Sequence, residues 1–226
     1  MLKRRIHGCF LFTLAASFFL LLTSTGALAA SGELYENLEP VEGAKASLAE
    51  IDPNADFGVY KRVALLETQV AFRSGWEKKQ KRTGSRIGID HGEVEKIKAG
   101  VSELFMQVLA DVLQADDGYE IVDEEGEDVL ILRSAIIDLD ISAPESTSSF
   151  SSRTYTSETG SATVYIELYD SVSGQILGRA ADRQTIRNAG DQFTWSTSAS
   201  KQSDAERLFR DWAKGLRNFL DSHYRE

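Results

Sequence analysis

The chain has 226 residues, one cysteine and a formal net charge of −10 at pH 7. This length fits one ordinary domain, which can bury a sizeable core without disulfides or structural metals. The acidic balance disfavours binding to nucleic acid and general adsorption to anionic lipid, because both carry negative charge.

The N-terminus has the pattern of an export signal. Residues 1–5 carry three cations, residues 10–22 form an apolar run, and Ala27-Leu28-Ala29 supplies the small-x-small motif of a cleavage site. We predict a cleavable signal peptide over residues 1–29 and a periplasmic mature protein. An uncleaved anchor helix is the alternative, although the run is shorter than the ~20 apolar residues of a membrane span.

Cleavage changes the chemistry that is available to the mature chain. Cys9 lies ahead of the apolar run and leaves with the signal, so no disulfide, thiolate nucleophile or cysteine metal ligand remains. The signal contains three cations and no acid, which leaves 22 basic and 35 acidic residues and a net charge of −13.

The segment before the first strand is polar and acidic. Residues 30–57 lack a sustained period and contain Pro40 and the turn Asp52-Pro53-Asn54, so we predict a tether with short local structure. A single α+β domain is expected over residues 58–226. Its first strand is predicted over residues 60–72, where aliphatic and β-branched residues cluster and alternate.

A basic segment follows this strand. Residues 73–89 form a predicted exposed loop that could bind a lipopolysaccharide phosphate, a peptidoglycan carboxylate or an acidic partner protein, with Trp76 as an aromatic anchor. The alternative is a solvated loop without a ligand. The candidate binding residues are Arg73, Trp76, Lys78, Lys79, Lys81, Arg82 and Arg86.

The remaining elements follow from hydrophobic periodicity. We predict a helix over residues 90–114, strands over 119–122 and 129–141, a Ser/Thr-rich loop over 144–160, a hairpin over 162–187 and a final helix capped by Ser203. Both helices carry one apolar stripe. The predicted fold is therefore an α+β two-layer sandwich, a mixed sheet of roughly five strands with two amphipathic helices on one face.

The sequence contains no recognisable catalytic, cofactor or metal motif, and we expect none of these groups. Asp138 and Asp140 alternate on a half-exposed strand, where a glycosidase could use paired carboxylates. The acidic run over residues 123–128 lacks the ligand spacing of a calcium loop and is predicted to be a turn. His91 and His223 lie too far apart in sequence for a spaced metal pair.

Three motifs carry a resemblance to a known family: residues 52–57 with 60–63, the hairpin residues 167–174 with Asp182-Arg183, and residues 212–221. The chain resembles the family catalogued as domain of unknown function 3313. Its members are largely bacterial envelope lipoproteins without an established activity, so the resemblance implies a periplasmic setting and supplies no catalytic residues. No lipobox cysteine follows the apolar run here, and a lipid anchor is therefore not expected.

The sequence thus favours a non-enzymatic interaction module of the bacterial cell envelope. Its expected partner is an envelope protein or an anionic envelope glycan, with no nucleic acid and no stable membrane anchor. Two alternatives stay open. One is a hydrolase of envelope glycans that uses Asp138 and Asp140, and the other is a structural protein that associates with itself through an open sheet face or strand edge. The oligomeric state is left open.

Overall fold

A computed structural model describes residues 35–78, 91–141, 160–186 and 199–223. The predicted signal peptide, most of the Ser/Thr-rich loop and four candidate binding residues (Lys79, Lys81, Arg82 and Arg86) lie outside these ranges. Within them, no helix is both long enough and apolar enough to cross a membrane.

The described residues form one mixed sheet of eight strands and two long helices. The strands are β1 Glu39–Pro40, β2 Leu48–Ile51, β3 Arg62–Leu65, β4 Gln69–Phe72, β5 Glu120–Ile121, β6 Val129–Asp140, β7 Gly160–Asp170 and β8 Ile176–Ile186. The helices are α1 His91–Gln114 and α2 Ala199–His223, and a 3-10 turn covers Phe57–Val59. The predicted α+β class and mixed sheet are confirmed, whereas the expected number of about five strands is wrong.

The order of the sheet is β1-β2-β8-β7-β6-β3-β5, with β4 paired to β6 beyond the end of β3. The pairs β3/β5, β3/β6 and β4/β6 are parallel, and the other pairs are antiparallel. The strand predicted over residues 60–72 is therefore two strands, β3 and β4, which use successive parts of the same long neighbour.

The predicted tether is also corrected by the structure. Strand β2 pairs with β8 from Leu48↔Ala181 to Ile51↔Gly178, and β1 pairs with β2. Asp52 and Phe57 are buried. The physical reason is that β8 would otherwise present a row of unpaired backbone groups, which the N-terminal segment satisfies.

Alternate residues of the long strands share a core with both helices. Leu132 and Ile136 of β6 lie opposite Leu168 and Val164 of β7, whereas Leu130 of β6 and Ile166 of β7 lie opposite the polar residues Asp170 and Ser134. The three aliphatic residues of each strand belong to the same core as Phe105 of α1 and Phe209 of α2, whose rings meet edge to face with centroids 5.2 Å apart.

The observed first residue agrees with the prediction for α1 and differs from it for α2. Helix α1 starts at His91, the first described residue of the predicted helix. Helix α2 starts at Ala199, so the prediction that Ser203 caps it is wrong. Residues 199–202 contain no glycine or proline, and the helix extends through them because an isolated capping pattern does not prevent continuation upstream.

Arg217 of α2 completes the C-terminus of α1, which has no basic residue in its last turn. Its Nη1 donates to the carbonyl oxygens of Leu113 at 2.7 Å and Ala115 at 3.0 Å, while its Nε donates to Asp221 at 2.7 Å. A guanidinium at this position satisfies exposed carbonyl groups and interacts favourably with the helix dipole. Arg217 therefore links the two helices.

Gly118 lies against this contact, and we expect Gly118→Ala to lower the free energy of unfolding by about 2–3 kcal/mol, as overpacking does elsewhere. A Cβ at this position would lie 2.0 Å from Nη1 of Arg217 and 2.2 Å from the carbonyl oxygen of Leu113. Urea unfolding measures the change.

The matched control is Gly215→Ala, because a Cβ at Gly215 in α2 would meet nothing within 4 Å. This substitution should raise the free energy of unfolding by about 0.5–1 kcal/mol, since glycine is unfavourable inside a helix. Equal stability of the two variants would contradict the proposed close approach at Gly118.

Candidate ligand groove beside strand β4

A cavity of about 370 Å³ opens beside β4 and α1, and we call it the β4 groove. Its lining consists of residues 70–73, residues 75–78 and Lys98 of α1. The volume is within the range of small-ligand sites. The groove contains the described part of the basic segment that the sequence marks as a candidate binding site.

The aromatic part of the groove is a stacked pair. The rings of Phe72 and Trp76 lie 3.8 Å apart at an interplanar angle of 12°. Gly75 has a φ of 79°, and the N–H of Trp76 donates to the carbonyl of Arg73 at 3.0 Å, so a tight turn brings Trp76 back against Phe72. Phe72 is half-buried and contributes the more accessible ring.

Trp76 is placed differently from the exposed anchor that the sequence predicts. Only 2% of this residue is exposed, and its indole N–H donates to the backbone carbonyl of Ile141 at 2.6 Å. A buried indole with a satisfied N–H is a packing residue. Trp76 thus supports the groove from within and does not project into solvent.

Three cations line the same groove as this aromatic pair. Nη1 of Arg73 lies 3.0 Å from Asp140, Nζ of Lys98 lies 2.9 Å from Glu95, and Lys78 is exposed. The hydrogen bond from Lys98 lowers the pKa of the Glu95 carboxyl. The side chain of Arg73 is 45% exposed and that of Lys98 is 32% exposed, so an incoming anion can reach both cations.

The structure therefore brings together three of the predicted residues, Arg73, Trp76 and Lys78. Sequence reasoning missed Phe72 and Lys98. Phe72 ends a predicted strand and Lys98 lies on the polar stripe of a predicted helix. Neither pattern indicates that the helix passes beside the strand, because periodicity reports a face and not its neighbour.

A second polar cluster lies on the opposite side of β7 from its core residues. Glu167 is 1% exposed and accepts hydrogen bonds from Tyr35 at 2.7 Å, Tyr165 at 3.0 Å, Tyr169 at 2.9 Å and Nε of Arg133 at 2.6 Å. We call these five residues the Glu167 cluster. In the sequence, this cluster is indicated by the polar residues 163, 165, 167 and 169, which alternate with the apolar residues of the predicted hairpin and so share one face of β7.

The cluster holds Glu167 in its charged form. Burial by itself would raise the pKa of this carboxyl, but its four hydrogen-bond donors outweigh burial, and the pKa lies below the ordinary value of 4.5. Burial and the hydrogen bond to Glu167 raise the pKa of Tyr169. Four donors occupy the acceptor positions of one carboxylate, so Glu167 is a structural centre and is poorly suited to act as a base.

The Glu167 cluster also holds the N-terminal segment on the sheet. The guanidinium of Arg179 on β8 lies over the ring of Tyr35, 4.1 Å from its centroid. Nε of Arg179 donates to Glu50 of β2 at 2.6 Å. Tyr35 and β2 are thus fixed to the same sheet face through a cation–π contact and an ion pair.

A family model for a protein of unknown function, DUF3313, matches residues 24–216. The chain belongs to this family. The matched region of this DUF3313 protein contains both the β4 groove and the Glu167 cluster, and it confirms the resemblance drawn from the sequence motifs. No curated protein matches the chain.

Several solved structures are similar to this DUF3313 protein. The PelC dodecamer from Paraburkholderia phytofirmans is 13% identical, with 79% of this chain and 98% of that chain covered and a TM-score of 0.38. The hypothetical protein CT253 from Chlamydia trachomatis is 10% identical, with 72% and 99% covered and a TM-score of 0.41. Protein XCC0632 from Xanthomonas campestris is 8% identical, with 76% and 93% covered and a TM-score of 0.37.

The two aspartates considered for catalysis have separate partners in this DUF3313 protein. Asp138 has a φ of 51° within an irregularity of β6, and its Oδ2 lies 3.7 Å from Nη1 of Arg183. Asp140 pairs with Arg73. Neither aspartate lines the β4 groove. Among the described residues, no group of three or more His, Cys, Asp or Glu side chains could hold a metal ion.

Proposed function

We propose that this DUF3313 protein is a non-enzymatic binding module of the bacterial cell envelope and that it takes an anionic ligand in the β4 groove. The observation that carries the proposal is the meeting of three cations with a stacked aromatic pair around one cavity, in a chain whose net charge is −10. Glu77 is the one acidic residue in this lining, so cations outnumber acids there and offer an anionic group contacts that the acidic chain as a whole does not favour.

The groove's own contacts support an anionic ligand. Arg73 and Lys98 already bind carboxylates of the same chain, Asp140 and Glu95. A ligand carboxylate or phosphate can contact the exposed parts of the same two cations. Phe72 adds apolar area, which favours a ligand with both an anionic group and an apolar or flat surface.

The proposed location is the periplasm, and it rests on the export signal predicted over residues 1–29. Fractionation of expressing cells, followed by N-terminal sequencing of the periplasmic protein, tests it. A mature N-terminus at Ala30 is expected. Recovery of the full-length chain with membranes would instead support an uncleaved anchor.

Replacing the three groove cations should weaken binding of an anionic probe at least about tenfold, because each contributes a favourable contact and about 1.4 kcal/mol in total suffices for this factor. The variant is Arg73→Ser with Lys78→Ser and Lys98→Ser. Calorimetric titration of the mature chain with soluble muropeptides, phosphorylated lipopolysaccharide fragments and acidic peptides measures the affinity.

The matched control removes the same charge elsewhere, through Lys45→Ser, Lys96→Ser and Lys214→Ser at exposed positions outside the groove. This control should bind within about twofold of the unmodified protein if only long-range screened charge is lost. Equal weakening of both variants would indicate a general charge effect and would contradict a site in the groove.

A further inference from the structure

The β4 groove runs along the edge of a strand. Four consecutive residues, 70–73, line it. Successive side chains of a strand point to opposite faces of the sheet, so four consecutive residues can line one cavity only where the cavity meets the strand edge. Strand β4 pairs with β6, and the described part of the chain provides no strand on its other side.

The backbone pattern shows which groups reach that edge. The N–H of Arg73 donates to the carbonyl of Leu139 on β6 at 3.0 Å. Along a strand, alternate residues direct their N–H and C=O groups to opposite neighbours. The β4/β6 register shifts between Val70 and Phe72, but the extra residue lies on β6, because Val70 pairs with Ile136 and Phe72 with Leu139. Strand β4 therefore keeps its own alternation, and the backbone groups of Val70 and Phe72 point away from β6.

Helix α1 lies beside the start of this strand edge. Thr68, the residue before β4, accepts a hydrogen bond at its carbonyl from the side chain of Ser102 on α1 at 2.8 Å. Lys98 lies one helical turn before Ser102 and lines the groove. The groove is thus the space between the continuing strand edge and the first half of α1.

We infer that the β4 groove binds an extended acidic peptide segment of a partner protein, which pairs as an added strand with the outer edge of β4. The inference rests on the proposed function and names the ligand class. Backbone groups of Val70 and Phe72 supply strand pairing, and Arg73, Lys78 and Lys98 supply charge complementarity to acidic side chains.

A peptide fits these features better than an anionic glycan does. A glycan can meet the three cations, but it has no alternating N–H and C=O groups with the 3.3 Å advance of a strand. A peptide satisfies both the charges and the strand edge. An exposed sheet edge is also the surface that peptide recognition by strand addition uses.

The test uses the mature chain and a synthetic hexapeptide with alternating valine and glutamate, together with two forms of the peptide that carry N-methyl groups on alternate residues. One methylated form removes the N–H groups that face β4 and should bind at least about tenfold more weakly, whereas the other should bind like the parent. Amide hydrogen exchange at Val70 and Phe72 should slow when the parent peptide binds.

A substitution in the protein provides an independent readout. Val70→Pro removes an outward N–H and should weaken the peptide about tenfold. The Val70 side chain is partly buried against the core, so a modest loss of stability is also expected. Ala71→Pro removes an N–H that faces β6 and should destabilise the fold more. Peptide binding about tenfold weaker in Val70→Pro, with a thermal transition above that of Ala71→Pro, is the expected result.

The outcomes separate the inference from the proposed function. Equal binding of both methylated peptides, or binding of anionic glycans but not the acidic peptide, overturns strand addition and leaves an anion site in the groove. If no probe responds to loss of Arg73, Lys78 and Lys98, the proposed function fails as well. If the two methylated peptides bind with different affinities and the cation variant loses peptide binding, both the inference and the proposed function are supported.

Discussion

Replacing Glu167 with alanine should lower the free energy of unfolding at pH 7 by about 2–4 kcal/mol. The substitution removes the shared acceptor of three tyrosine hydroxyls and of Arg133. Each partly buried hydroxyl that loses its partner costs about 1 kcal/mol or more. Arg133 contributes less to the loss, because 52% of its side chain is already exposed and can be solvated.

Urea unfolding of Glu167→Ala beside Glu125→Ala tests this expectation. Glu125 is an exposed residue, and its replacement should change stability by less than about 0.5 kcal/mol. Comparable effects of the two substitutions would show that the Glu167 cluster contributes little to stability.

The contribution of Glu167 should also depend on pH. Its pKa in the folded protein lies below the ordinary value of 4.5, so the folded state binds the proton less readily than the unfolded state does. The stabilisation is therefore fully present above the unfolded pKa and is lost as the pH falls through the folded pKa. The stability difference between the unmodified protein and Glu167→Gln should shrink below about pH 4.5, and a constant difference would contradict the charged network.

Replacing Trp76 with alanine should lower the free energy of unfolding by about 3–5 kcal/mol, the usual cost of removing a large buried aromatic side chain. The indole is 2% exposed, stacks on Phe72 at 3.8 Å and donates to the carbonyl of Ile141. The substitution leaves a cavity and removes the indole donor to this carbonyl. Thermal and urea unfolding of the purified mature chain measure the loss.

Trp76→Phe separates packing from hydrogen bonding. It retains much of the stacked area and loses the donor to Ile141, so a smaller loss of about 1–2 kcal/mol is expected. The exposed-anchor role predicted from the sequence gives a different result, in which Trp76→Ala leaves stability unchanged and affects only ligand binding.

The local sequence determined most of the long elements. Periodicity placed β6 at residues 129–141 and α1 at 90–114, against Val129–Asp140 and His91–Gln114 in the structure. The hairpin of β7 and β8 also followed from alternation and its turn. These predictions depend on neighbours within one element, where side-chain direction repeats every 2 or 3.6 residues.

The tertiary structure decided which distant segments meet. Leu48 pairs with Ala181, and Tyr35 donates to Glu167, so the polar N-terminal segment became part of the sheet although its own pattern was weak. The predicted number of strands was too low for the same reason. Strand pairing depends on both partner strands, and the sequence of residues 35–51 does not show that β8 has an edge with unpaired backbone groups.

The sequence likewise predicted part of the candidate site, and the tertiary structure determined the rest. The sequence identified the family through its motifs and marked Arg73, Trp76 and Lys78 by composition. Only the tertiary structure shows that Trp76 is buried in the core and that Lys98 of α1 lies beside the edge of β4. Composition reports how many charges and rings a segment carries, whereas burial and the neighbours of a strand edge follow from packing among elements far apart in the chain.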